Sequence, residues 1–99
     1  MAENPMNALK ALDVKLFDLI ETSRAFSFED GALPKKTKFL IALSLDAAHG
    51  AVEGVRSLAL QALKSGATKE EIMEALRVAH FISGAGSIYT AARALEGIL

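Results

Sequence analysis

Asp46, His49, Glu53 and Arg56 crowd the middle of the chain and bring together the side chains of acid and base chemistry. An imidazole with an ordinary pKa of about 6.5 suits proton transfer near neutrality. With a carboxylate as base and a guanidinium to hold an acidic substrate, the group has the parts of a cofactor-free lyase or hydrolase acting on a small organic acid. The same residues have plainer uses. His49 can satisfy the end of a helix, and Glu53 and Arg56, spaced i,i+3, can form a surface ion pair. A second group follows a glycine-bearing stretch: His80, then Ser87, Tyr89 and Arg93. There a phenol and a hydroxyl can orient a polar ligand, and Arg93, one turn beyond Tyr89, supplies a cation. A buried tyrosine bonded to a backbone carbonyl and a histidine facing the core are the alternatives.

Other chemistries are excluded by inventory. The 99 residues include no cysteine, which removes disulfides, thiolate nucleophiles and sulfur-bound metal, and two histidines are too few for a conventional zinc site. No metal and no cofactor are expected. Gly84-Ala85-Gly86 is too short a glycine motif to cradle phosphate, and no nucleotide loop or serine triad occurs. The net charge of -1, from 11 basic and 12 acidic residues, gives no field to gather phosphate backbones or anionic lipid, so no nucleic acid and no membrane partner are expected. The opening MAENPMNALKAL lacks the basic and apolar regions of a secretion signal, and no charge-free run reaches the ~20 residues of a membrane span. A cytoplasmic protein is the expectation.

The elements that must position these residues are helices. Leu9, Leu12, Leu16, Leu19 and Ile20 fall at helical spacing and predict a first helix from Asn7 to about Arg24 or Ala25, followed by the link AFSFEDGALP with Phe26 and Phe28 as anchors. A second helix is expected from Pro34 to Ala48. It opens with Lys35, Lys36 and Lys38 against its own dipole, a cluster that Glu29 or Asp30 can offset. A third runs from Ala51 to Lys64. Thr68 and Glu71 form a capping-box pattern that starts a fourth, which reaches Ser83; Gly84 and Gly86 then either interrupt the helix or admit a close backbone. Ile88, Ala91, Ala92 and Leu95 mark the last helix. The chain reads as a single all-α domain spanning residues 1–99 with five to six helices. At 52% hydrophobic it carries more apolar material than a small monomer hides easily, so self-association is expected, with Phe39, Leu58 and Leu60 as suppliers of interface area.

The stretch LPKKTKFLIALSLDAA, followed one helix later by ALKSGATKEEIMEALRVAHFISGAGSIYTAARALE, resembles the carboxymuconolactone decarboxylase-like family, which includes the alkylhydroperoxidase D proteins. The resemblance covers about residues 33–96. It implies an alkylhydroperoxidase D-like helical fold and an obligate homo-oligomer, with a trimer or hexamer favoured. The peroxidase branch carries a Cys-x-x-Cys-x-x-x-His motif whose positions fall on Ala51, Gly54 and Leu58. With nucleophile, resolving thiol and proton relay all missing, thiol peroxidase activity is not expected. The expected role is an oligomeric small-molecule binding or structural module, with the cofactor-free lyase or hydrolase as the alternative.

Overall fold

A computed structural model describes residues 4–99, and the regular structure among them is helical throughout. The helices are α1 (Met6–Leu12), α2 (Val14–Phe28), α3 (Lys35–Ala48), α4 (Val52–Lys64), α5 (Lys69–Ser83) and α6 (Ala85–Leu95). None is long and apolar enough to cross a membrane.

The expected first helix is two helices. Asp13 leaves the helical region (φ -153°, ψ 88°), and its Oδ1 accepts a hydrogen bond from the Leu16 amide at 3.0 Å, which makes it the N-cap of α2. The carboxylate competes for the backbone donor that a continuous helix would use internally. At its other end α2 runs past Ala25 to Phe28, so both phenylalanines are helical. Phe28 does anchor the helix, its ring stacked on Phe39 with centroids 4.9 Å apart. Phe26 is 74% exposed and anchors nothing within the chain.

Asp30 also caps. Its Oδ1 accepts from the Lys35 amide at 2.7 Å, placing a carboxylate at the start of α3 where the dipole and the lysine cluster both call for one. Lys38 Nζ donates to the Glu29 carbonyl, and Lys36 Nζ meets Glu71 Oε2 at 3.1 Å, joining α3 to α5. The capping box at Thr68 and Glu71 is present in both directions. Gly84, at φ +84°, ψ -177°, interrupts the helical path between α5 and α6, whereas Gly86 continues as helix with open space beside it.

α3 is the centre of the packing, in contact with α4, α5 and α6. Leu43, Val55, Ile72 and Leu76 are fully buried, and Ala47, Ala59, Ala91 and Ala94 between them let the helices approach closely. Phe39, expected at an interface, is instead inside the chain against Ala62 and Ala67, and Leu58 is half-buried across both parts of the core. α2 has no buried residue and meets the rest of the fold chiefly through α3. The radius of gyration, 14.2 Å against about 13 Å for a compact chain of this length, reflects this outlying pair of N-terminal helices.

Candidate functional site

α3 ends at His49, the C-cap residue, and α4 begins after Ala51, whose amide turns back to the Asp46 carbonyl at 2.9 Å. This tight reversal sets the end of α3 beside the first turn of α4. Together with α2 the two helices enclose an open cavity of about 610 Å³. Its walls are Ile20 and Phe28 from α2, Leu45 from α3 and Leu58 from α4. Its polar groups are Ser23, Arg24, Asp46, His49, Ser57 and Gln61.

Close contact explains how Asp46 fits. Gly54 lies against its carboxylate, and a Cβ at residue 54 would run into Asp46 Oδ2 and stand 2.9 Å from Cγ. The half-buried carboxylate thus occupies the space beside α4 that any larger residue would need. His49 is exposed, and its imidazole makes no hydrogen bond among the described residues, which leaves it free to meet a ligand. Arg24 is held only loosely, Nη2 to Glu21 Oε1 at 3.8 Å. Sequence reasoning passed over Arg24. The signal for it was the i, i+4, i+8 series Ile20, Arg24, Phe28, which puts the guanidinium on the face that carries two wall residues.

Glu53 and Arg56 do not join this cavity. The expected ion pair between them is absent from the described residues; Arg56 Nη1 instead donates to the carbonyls of Ala94 and Glu96, each at 3.2 Å. The end of α6 offers unpaired carbonyls that a guanidinium satisfies better than an exposed carboxylate three residues away holds it. Glu53 stays exposed in the first turn of α4.

The second group divides as well. His80 and Tyr89 line a groove of about 640 Å³ between α5 and α6, and Arg77 is the cation there. Arg93 lies outside it and is exposed. Ser87 is buried, with its hydroxyl given to the Gly84 carbonyl at 2.7 Å, where it fixes the bend into α6. The two histidines therefore serve different concavities. Among the described residues no three of His, Asp and Glu gather as a metal site would require.

The family model for the carboxymuconolactone decarboxylase family matches residues 9–97 of the chain. This chain belongs to the carboxymuconolactone decarboxylase family. The structure also superposes on the crystal structure of the apo form of a carboxymuconolactone decarboxylase family protein from Legionella pneumophila, with a TM-score of 0.86 and 32% identity over 92% of this chain and 81% of that one. No curated protein matches the sequence. As a carboxymuconolactone decarboxylase family member this chain has the all-α, six-helix fold of the alkylhydroperoxidase D-like proteins without cysteine, so it has no thiol with which to reduce a hydroperoxide. Two of the positions assigned to the redox motif, Gly54 and Leu58, face the cavity between α2, α3 and α4, and the third, Ala51, is the N-cap of α4.

Proposed function

We propose that this family member is a homo-oligomeric binding protein for small organic acids, and that the ligand sits in the cavity between α2, α3 and α4. One observation carries the reading. At the redox-motif positions Gly54 and Leu58 the space stays open, with apolar walls and a polar rim of Arg24, Asp46 and His49. Sites for small molecules have this composition, an apolar body with a few converging polar groups. Arg24, weakly paired to Glu21, receives the carboxylate of the acid, and Asp46 accepts from a donor at its other end. Large apolar side chains left in water, Val78, Phe81 and Ile82 among them, support the homo-oligomer.

Titration of isotope-labelled protein with short aliphatic and aromatic carboxylic acids and hydroxy acids tests the site. Saturable shifts are expected at Arg24, His49 and Leu58, with binding weakened about tenfold in R24Q, the effect of losing one charge-assisted hydrogen bond. The reading fails if no acid in the series moves these resonances, or if R24Q binds as well as the wild type.

The lyase or hydrolase reading is favoured by a separate observation: Asp46 and His49, one helical turn apart, line the same cavity as carboxylate and imidazole. In that case His49 moves the proton and a bound acid is converted. H49Q then abolishes turnover while the acid still binds. Unchanged acid recovered after long incubation with the wild-type protein decides for binding alone.

A further inference from the structure

Two apolar surfaces of this chain are left without a partner. The first is a ridge. Leu16, Leu19 and Phe26 fall at spacings of three and seven along α2, which puts them on one side of the helix. Leu19 and Phe26 are 67% and 74% exposed, whereas Phe17, Ile20 and Phe28, on the other side of α2, are half-buried against the chain's own body. The second is a groove between α3 and α5, about 320 Å³, with Ile41, Leu45 and Val78 on its rims and Ser44 and Ala75 among the small residues that keep it open. No charged residue lines it. Ile82, one turn past Val78, extends the apolar strip and is equally open to water. Within one copy the ridge and the groove do not meet, since α2 packs on α3 and makes no substantial contact with α5.

We propose that α2 of one copy lies in the α3/α5 groove of a second copy. Laying a helix into an apolar groove is a standard mode of recognition, and each copy of this chain carries a helix with exposed leucine and phenylalanine side chains and such a groove. No charged residue lines the groove, and the three ridge side chains are apolar, so the side chains that meet carry no ionised group to desolvate. Leu16, Leu19, Phe26, Ile41, Leu45, Val78 and Ile82 together expose on the order of 800 Å² of side-chain surface, close to the apolar share of a standard interface of about 1,600 Å². The contact is head to tail, a helix of one copy against a different surface of the next.

The arrangement bears on the ligand cavity. α2 supplies Ile20, Arg24 and Phe28 to that cavity from its inner side and is held to its own subunit without a single buried residue. Seated in the neighbouring groove, α2 is fixed from both sides. Leu45 lines the cavity and the groove at once, so the neighbour's helix presses on a wall of the site.

The inference rests on the homo-oligomeric reading above and is independent of which acid binds. Light scattering on L19E and V78E separates the possibilities. Both positions are open in the single chain, so both variants keep a wild-type circular dichroism spectrum; L16S/L19S and I41S/V78S are the milder pair should either aggregate. Each variant is expected to show a lower native mass than the wild type, because each has lost one half of every contact. An equimolar mixture is expected to regain mass, since the intact groove of L19E accepts the intact helix of V78E. The proposal is overturned if the wild type is a monomer of 10.5 kDa at tens of micromolar. It is also overturned if V78E keeps the wild-type mass while L19E does not, which is the mark of α2 pairing with α2, or if the mixture shows only the masses of its components. Failure of every acid to bind leaves these masses unchanged, so the two readings fail separately.

Discussion

A methyl group at residue 54 would need the space that the Asp46 carboxylate fills. A cysteine there meets the same obstacle, so the missing thiol and the position of Asp46 belong to one arrangement. Replacing glycine by alanine inside a helix ordinarily stabilises by about 1 kcal/mol. G54A is expected to lose most of that gain in the wild-type background and to recover it in D46A. Urea denaturation of the four proteins of the cycle measures the coupling, expected at about 1 kcal/mol as for side chains in contact. Glu71 provides a pH-dependent case. The Thr68 amide, bonded to Oε1 at 2.8 Å, and then Lys36 hold its carboxyl below the ordinary value of 4.5. A carboxyl lowered in the folded state stabilises above its unfolded pKa, and the effect is lost as the pH falls through the folded value. Melting temperatures of wild type and E71Q should therefore differ by a constant amount from pH 7 down to about pH 5, with E71Q lower, and converge in more acid solution.

At the scale of elements, helix ends explain most departures from the simple pattern. Asp13 divides the first helix by capping the second, Asp30 caps α3 across a link of several residues, and Ser87 holds the bend at Gly84. Arg56 belongs with them. Its guanidinium bonds two carbonyls at the end of α6, a contact between α4 and the C-terminal turn. R56A is expected to cost about 1 kcal/mol, the net worth of hydrogen bonds of this kind. It should also speed hydrogen exchange at the Ile98 and Leu99 amides, which bond to the Leu95 carbonyl in that turn. Acid binding in the α2/α3/α4 cavity should not change, which separates this structural role from a catalytic one.

For the molecule as a whole, a small core must hold six helices. Leu76 is 1% exposed and shares its cluster with Leu43, Val55 and Ile72. L76A removes three carbons from a site whose neighbours are fixed by four helices, and the expected loss is about 2–5 kcal/mol. Chemical denaturation should show a fall in midpoint of that size. Such a loss is a large part of the stability of a chain this short. The remaining apolar surface lies on the outside, along α2 and across α3 and α5, where the proposed ridge-and-groove contact would bury it.

The helices themselves were legible in the sequence because a helix depends on partners three and four residues away. The apolar periodicity of α3 to α6, the Thr68–Glu71 capping box and the break near Gly84 are all local, and they appear where the pattern puts them. The lack of thiol chemistry needs no structure at all, since no cysteine is present. Short-range competition was harder to read: Asp13 fits a helix interior and a helix cap alike, and the Leu16 amide decides between them. The membership of the cavity was beyond local reasoning. Arg24 lines one cavity with His49 and Asp46, Arg56 turns away to residues at the far end of the chain, and Ser87 is spent on a backbone carbonyl. Those outcomes follow from the distances and angles between helices remote in sequence. These depend in turn on where Ala47, Ala59, Ala91 and Ala94 permit close contact, and an alanine in a helical pattern looks the same whether or not another helix packs against it.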